Sequence, residues 1–213
     1  MSKSTKENEI LFFKNDLSEN IYKRYENSKY LAVDTEAMGL IHGRDRLCLI
    51  QICNEDNLIS CIKIDMGVYN SPNIKNLFEN QNILKIFHFA RFDVAALKCN
   101  LAIKTQNIFC TKIASKLART YTNKHGLKDL INELLGIELD KSSQSSDWGS
   151  EENLSQDQIN YAANDVKYLI KAMEKLTLIL KREKRYEMAQ KCFTVIPIHS
   201  ELDIQHFINI FEH

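Results

Sequence analysis

Two carboxylate side chains lie two residues apart at the end of a short apolar run. Asp34 and Glu36 close the stretch Tyr30 to Glu36, which has the length and composition of a β-strand. Because side chains alternate between the two faces of a strand, both acids lie on one face. Carboxylates this close repel each other, and a divalent cation relieves the repulsion. Taken alone, the pair favours the simpler interpretation of two solvated acids at an exposed strand end.

Two further acidic residues lie at a predicted strand-to-helix junction and inside a predicted helix. Asp93 follows an apolar run that ends at His88, a strand-to-helix junction at which Asp commonly caps a helix. Asp165 lies inside a predicted helix, one turn from Tyr161, although Asp is unfavourable there by propensity. If the four acids converge at one end of the sheet, they can hold two divalent ions about 4 Å apart, an arrangement that cleaves phosphodiesters. Four carboxylates and two divalent ions sum to zero charge, so this site accepts an anionic phosphate.

Composition narrows the class of protein. The chain has 213 residues, 44% hydrophobic and 26% charged, with 28 Lys plus Arg and 28 Asp plus Glu. These values are typical of a globular domain and exclude a mostly disordered chain. A formal net charge of zero argues against gripping long nucleic acid by general electrostatics. No apolar run approaches the ~20 residues of a membrane helix, and residues 1–8 lack the apolar core of a secretory signal, so we expect a cytoplasmic protein.

The six cysteines are scattered without a CxxC pair and are interpreted as buried, free thiols.

The apolar pattern predicts an α/β domain with a mixed sheet. Predicted strands are Tyr30 to Glu36, Arg46 to Cys53, Leu58 to Ile64, Leu84 to His88 and a fifth near Ile108 and Phe109. Predicted helices are Asn73 to Asn80, Asp93 to Cys99, Lys112 to Tyr121, Leu127 to Leu135, Ser155 to about Lys184 and a final amphipathic stretch from Leu202 to Phe211. Between them, Lys141 to Glu152 is predicted to be a serine-rich surface loop. We expect one domain over 1–213, with a core at about 30–182, a helical tail at 183–213 and no accessory RNA-binding domain.

Three runs carry a resemblance to a known family. Val33 to Glu36, His88 to Asp93 and Tyr161 to Leu169 resemble the three motifs of the DEDD 3′→5′ exonucleases, in the tyrosine-bearing branch that contains ribonuclease D. From about Leu31 to Leu202 the chain also resembles the short nanoRNase C enzymes of alphaproteobacteria. The resemblance implies a ribonuclease H-like mixed five-stranded sheet flanked by helices, the DEDD exonuclease fold.

The resemblance also implies a mechanism. Asp34, Glu36, Asp93 and Asp165 would bind two Mg²⁺ or Mn²⁺ ions, and Tyr161 would orient or deprotonate the attacking water. The products would be nucleoside 5′-monophosphates released from very short RNA, especially dinucleotides. A general 3′→5′ exonuclease on longer RNA or DNA ends is the alternative, and an inactive nucleic-acid-binding scaffold is a third hypothesis. The nanoRNase C likeness further implies a homo-oligomer, as a ring of eight subunits.

Substrate contacts are predicted at eight positions: Thr35, Leu40, His88, Lys112, Lys116, Arg119, His125 and Trp148. Leu40 is either an apolar wedge between two bases or ordinary core. The three cations from Lys112 to Arg119 have the spacing of one helical face, which either binds phosphate or is simply solvated. His88 is either a buried core histidine or a ligand. Trp148 either stacks on a base or anchors its loop to the domain.

Overall fold

A six-stranded mixed sheet forms the centre of the fold. The computed structural model describes residues 10–139, 147–150, 154–207 and 210. Its strands are β1 (Ile10–Lys14), β2 (Tyr30–Ala37), β3 (Leu47–Asn54), β4 (Ile59–Lys63), β5 (Leu84–Phe87) and β6 (Ile108–Cys110). They lie in the order β1-β4-β3-β2-β5-β6. The pairs β2/β3 and β3/β4 are antiparallel, as the predicted meander requires, and the other three pairs are parallel.

The prediction of five strands is wrong by one. The additional strand is β1, whose Ile10 pairs with Ile59 of β4 in parallel register. Its side chains are half-buried or exposed, so the five-residue run has no marked burial pattern of its own. What makes it a strand is the edge of β4, about fifty residues further along the chain, which a local pattern does not reveal. The predicted α/β class itself is confirmed.

Helices cover the sheet. They are α1 (Glu19–Tyr25), α2 (Pro72–Glu79), α3 (Ala90–Leu101), α4 (Thr111–Ala118), α5 (Leu127–Leu135), α6 (Gln156–Lys167), α7 (Leu169–Arg182), α8 (Tyr186–Thr194) and α9 (Ile196–Ile204). The predicted long helix from Ser155 is two helices, because the chain bends at Tyr168, whose φ is −109° and ψ is −4°. The predicted stretch from Leu202 to Phe211 is also corrected, since α9 ends at Ile204. Residues 140–146, 151–153, 208–209 and 211–213 lie outside the described part, and with them most of the predicted serine-rich loop.

The core explains why these elements assemble as they do. All eight residues of β3 and all five of β4 are buried, so the middle of the sheet is covered on both faces. Helix α6 packs across β2, β3 and β4. Beneath it lies a small apolar cluster of Cys48, Leu49, Cys61, Trp148, Leu154 and Ala162. All six cysteines are free thiols, and Cys99 and Cys192 are only partly buried. None of the helices in the described residues is long and apolar enough to cross a membrane.

Candidate active site

The central strand β2 presents the first two acids. Asp34 and Glu36 share one face, opposite Gln51 and Leu49 of β3 in the antiparallel register. A bulge follows directly, between Glu36 and Ala37, and turns the chain away from the sheet. One carboxylate oxygen from each of Asp34, Glu36 and Asp165 lies within 4.8 Å of the others. The predicted convergence of these three side chains is therefore observed.

Helix α6 supplies the third acid because its ends and its apolar face fix its position. Ser155 accepts a hydrogen bond from Gln158 N at 3.2 Å, and the Gln158 side chain accepts one from Ser155 N at 2.8 Å, a capping box that fixes where the helix begins. The predicted start of a helix at Ser155 is confirmed. Buried residues Ala162, Ala163 and Val166 press one face against the sheet, which turns Tyr161 and Asp165 toward β2.

The fourth acid, Asp93, is held slightly apart. The N-cap of α3 is Phe89, with a positive φ of 73°, so the capping role considered for Asp93 is wrong. Asp93 is instead buried in the first turn of α3, where its Oδ1 accepts a hydrogen bond from Thr35 Oγ1 at 2.8 Å. Its oxygens do not belong to the group of three within 4.8 Å of one another. Thr35 thus contacts Asp93 directly, from the opposite face of β2.

Crowding and burial raise the pKa of every one of these carboxyls. Burial, then repulsion by Asp93, Asp165 and Glu36, holds the pKa of Asp34 well above its usual value. Burial and the Asp165 and Asp93 charges raise the pKa of Glu36 to about 8. Burial raises the pKa of Asp93 and of Asp165 to about 7, against hydrogen bonds from Thr35 and Tyr161 respectively. Like charges in a site of low polarity favour the protonated state, so a cation that compensates these charges favours their joint ionisation.

The donor set fits divalent ions that prefer oxygen ligands. Mg²⁺ and Mn²⁺ bind carboxylates, whereas thiolate or imidazole ligands favour zinc and other transition metals. Asp34, Glu36 and Asp165 offer three carboxylate oxygens within reach of one ion, and Asp93 lies close enough to affect the pKa of two of them. The residues present therefore fit the divalent metal that the sequence implied.

Tyr161 is suited to donate a proton in a hydrogen bond rather than to remove one. Burial, followed by the negative charges of Asp165 and Glu36, raises the pKa of its phenol, and the hydroxyl hydrogen-bonds to Asp165. A phenol with a raised pKa stays protonated near neutral pH. Of the two roles considered from the sequence, orienting a water is the one that this environment favours.

Three of the acids, Asp34, Glu36 and Asp165, line a cavity of about 630 Å³ that has an exposed leucine at its rim. Leu40 lines the cavity and is 80% exposed, which rules out the core-packing interpretation. Its loop turns tightly because Asp45 accepts a hydrogen bond from Ile41 N at 2.9 Å, and a Cβ on Gly39 would collide with the Asp45 carboxylate. A side chain at position 39 would therefore displace the Asp45 carboxylate from its hydrogen bond with Ile41 N.

The predicted cationic helix face is only partly present. Lys112 lines the cavity, with its Nζ 4.3 Å from the centre of the Phe89 ring, but the exposed Lys116 does not. Arg119 is a correction: helix α4 ends at Ala118, so the position seven residues on leaves the helical face. The Arg119 side chain is fully buried, where it pairs with Glu133 and donates to Lys124 O at 2.9 Å.

Three ring side chains predicted to contact substrate differ in whether they line the cavity. His88 lines it and is half-buried, with Nδ1 2.9 Å from Thr111 Oγ1, and burial lowers its pKa to about 4, so the ring is neutral. His125 lies outside the lining and contacts Ser115 Oγ at 2.9 Å, which joins its loop to α4. Trp148 lines the cavity but is 4% exposed and packs in the small cluster under α6, which supports the anchoring interpretation.

Sequence reasoning missed several residues that line the cavity, among them Met38, Phe92, Leu127 and Leu139. They are apolar and come from two helices and two loops, so no spacing in the sequence marks them. Gly126 and Lys128, at the start of α5, also line the cavity.

Comparison with known proteins identifies the family. A family model described as 3′-5′ exonuclease matches residues 10–181, and the chain therefore belongs to the 3′-5′ exonuclease family. Ribonuclease D of Sphingobium indicum is 34% identical over 163 residues, which are 76% of this chain and 41% of that protein. DNA polymerase I of Aquifex aeolicus is 38% identical over 145 residues, 68% of this chain and 23% of that protein. The chain thus spans less than half the length of these curated relatives.

Comparison with solved structures gives a more specific similarity within this family. Brucella melitensis NrnC bound to pGG superposes with a TM-score of 0.90 and 44% identity, over 96% of this chain and 98% of that one. The same protein with bound Mg²⁺ gives a TM-score of 0.89 and 43% identity over the same shares. Escherichia coli RNase D shares the fold at 20% identity and a TM-score of 0.77, over 91% of this chain and 50% of that chain. The predicted resemblance to ribonuclease D and nanoRNase C is confirmed.

The acid cluster predicts a pH-dependent response to metal. In EDTA, the folded acids titrate near 7 to 8 and their unfolded counterparts near 3.8 and 4.5, so stability falls as the pH rises from about 4 to about 8 and levels off above that. Mg²⁺ removes this repulsion. We expect the rise in Tm on replacing EDTA by Mg²⁺ to be larger at pH 8.5 than at pH 6, with about 2–4 °C for each kcal/mol of binding.

The comparison with EDTA at each pH is needed because burial lowers the pKa of Lys85 to about 7. That lysine changes stability with pH in the opposite direction, equally with and without metal. The Asp165→Asn variant, which removes one charge of the cluster, is the matched control and gives a smaller Mg²⁺ response. A Mg²⁺ response of the same size at both pH values would contradict the expected repulsion.

Leu40 is predicted to act on substrate and not on stability. Leu40→Ala removes an exposed apolar side chain at the cavity rim, so we expect kcat/KM on a single-stranded oligonucleotide to fall about ten-fold, as for one lost base contact. Thermal unfolding stays unchanged. The control is Met66→Ala, which truncates a side chain that is 77% exposed and outside the cavity lining. Equal activity of the two variants would exclude a role for Leu40 in substrate contact.

Proposed function

We propose that this chain is a metal-dependent 3′→5′ exoribonuclease that hydrolyses very short RNA, especially dinucleotides, to nucleoside 5′-monophosphates. The observation that carries the proposal is the group of Asp34, Glu36 and Asp165 within 4.8 Å of one another, in a cavity that also has Leu40 and Lys112 in its lining. The reaction needs three kinds of group: carboxylates that bind metal, an apolar side chain that contacts a base and a cation that contacts a phosphate.

Each protein group has a definable task in that reaction. Two Mg²⁺ or Mn²⁺ ions held by Asp34, Glu36, Asp93 and Asp165 supply Lewis acidity for a water and for the leaving oxygen. The protonated Tyr161 hydroxyl orients the water one helical turn from Asp165. The exposed Leu40 packs against a base and so fixes the register of the scissile bond. At the cavity wall, Lys112 offers an ammonium group to a phosphate.

Short substrates are favoured by charge and by similarity. The formal net charge is zero, whereas proteins that bind long nucleic acid usually carry a basic excess. NrnC of Brucella melitensis, whose whole chain this one nearly covers, has been solved with pGG and with Mg²⁺. The alternative, a general 3′→5′ exonuclease on longer RNA or DNA ends, is favoured by the 38% identity to a DNA polymerase I.

A length series tests the proposal. We expect 5′-labelled RNA of two nucleotides to be cleaved at least ten-fold faster than chains of three to ten nucleotides, only when Mg²⁺ or Mn²⁺ is present. The control is Asp165→Asn, which keeps the size of the side chain but removes a metal ligand, and we expect it to lose at least a hundred-fold in rate. The same series in DNA measures the preference for ribose.

Three outcomes separate the hypotheses. Preferred cleavage of the dinucleotide supports the proposal. Stepwise shortening of every length at similar rates, in RNA or DNA, identifies a general exonuclease instead. If no length is cleaved at any metal concentration, the scaffold hypothesis replaces both.

We also propose that the chain acts as a homo-oligomer, as a ring of eight in the cytoplasm. Exposed apolar side chains near the C-terminus, Val195, Ile198, Phe207 and Ile210, suit contact with a second copy, and the free thiols suit a reducing compartment. One chain has a mass of 24.7 kDa, and we expect light scattering after size exclusion to give eight times that mass. A monomeric mass would reject the assembly but not the chemistry.

A further inference from the structure

One polar side chain interrupts the buried strand β3. Gln51 lies in the middle of that strand and is fully buried. Among the described residues, neither its amide nitrogen nor its amide oxygen has a hydrogen-bond partner. Buried amides in native proteins are almost always paired, and an exception needs an explanation. An apolar residue at this position would avoid the cost, so the amide requires a reason other than packing.

The sheet register places this amide beside the metal-binding acids. Gln51 is directly opposite Asp34 of β2 and Cys61 of β4. Directly opposed residues of antiparallel strands share a face, with Cβ atoms about 4.5–5.5 Å apart. Cys61 packs beneath α6 with Ala162, so Gln51 lies in the layer between the sheet and the helix that carries Asp165. Asp34 is the residue directly opposite Gln51 whose side-chain oxygens can accept hydrogen bonds, and Glu36, two residues further along β2 on the same face, is a diagonal neighbour.

The chemistry of the two groups is complementary. A glutamine amide has two N–H donors, and an ionised carboxylate accepts at both of its oxygens. One oxygen of Asp34 belongs to the group of three that faces the ion position, and the carboxylate also accepts a hydrogen bond from Thr35 N–H, which leaves it a further lone pair for an amide donor. Carboxylates that bind metal are commonly held in this way, because the second hydrogen bond fixes the ligand's orientation.

We propose that Gln51 is a positioning residue for the metal site, whose amide N–H donates to the carboxylate oxygen of Asp34 that faces away from the metal. The inference rests on the proposed function only in requiring a divalent ion at Asp34. It assigns Gln51 no contact with substrate.

Metal affinity measured without nucleotide tests the inference. Gln51→Met keeps a linear side chain of similar length but removes both amide groups. We expect its affinity for Mn²⁺, measured by calorimetry on the full chain, to fall about ten-fold, within the range found for partners of metal ligands. Stability in EDTA stays equal or rises, because an unpaired buried amide is lost. At saturating Mn²⁺, kcat on a dinucleotide falls while KM is unchanged.

The matched control is Thr105→Val, which removes another buried polar atom without a partner, from a residue that lines a separate cavity with Phe109 and Phe193. We expect it to leave Mn²⁺ affinity unchanged. Gln51→Asn shortens the side chain by one methylene and so moves the amide away from Asp34, and we expect it also to weaken Mn²⁺ binding. If Gln51→Met does not fold, the Mn²⁺ affinity of Gln51→Asn tests the role of Gln51.

Wild-type affinity in the Gln51 variants that fold would overturn the inference. A wild-type chain that binds Mn²⁺ but does not cleave dinucleotides would reject the proposed function alone, and the variants' affinities would still decide the role of Gln51. A wild-type chain that binds no Mn²⁺ would overturn both.

Discussion

Repulsion between buried carboxylates is the constraint on which the rest of this structure depends. Asp34, Glu36 and Asp165 bring oxygens within 4.8 Å of one another at a place where burial alone already favours their neutral forms. A flexible chain would separate them. The fold holds them together because two come from the rigid centre of the sheet and the third from a helix whose capping box and apolar face leave it little freedom. Without metal, the folded chain has to tolerate this repulsion between the carboxylates. A bound cation relieves the repulsion, and this relief contributes to the free energy of metal binding.

Thr35 and Gln51 show how the strand neighbours of these acids are matched to them. Thr35 points to the other face of β2 and donates to Asp93, which steadies the fourth acid without adding to the crowding. Gln51 lies opposite Asp34 with no partner of its own in the described structure. An unsatisfied buried amide costs about 1–3 kcal/mol, a substantial fraction of the stability of an ordinary domain. Polar groups retained at that cost in an otherwise apolar strand indicate that the strand is built around the site.

Local periodicity in the sequence predicted the residues of the site better than it predicted the outer strand of the sheet and the ends of the helices. The period of two in β2 and the four-residue spacing in α6 relate residues within one element, so Asp34 with Glu36 and Tyr161 with Asp165 could be placed from sequence. Strand β1 could not, because it depends on pairing with distant β4. The end of α4 at Ala118 was missed for a similar reason. What stops the helix there is a tertiary network, in which Arg119 turns inward to Glu133 and a loop carbonyl.

The inward turn of Arg119 also bears on the size of substrate that this surface suits. Its guanidinium is neutralised by Glu133, so it adds little to the field over the cavity. Two lysines, Lys112 and Lys128, are the cations in the cavity lining among the described residues, and three ionisable acids lie beside them. A long nucleic acid would gain few contacts to its successive phosphates from such a lining, since each phosphate bound requires a cation to replace its counterion. A substrate with one or two phosphates needs no more than the lining offers. The balance of charge near the acids therefore favours the short substrate proposed above, in the same direction as the neutral chain as a whole, and it does so through particular residues rather than through net charge.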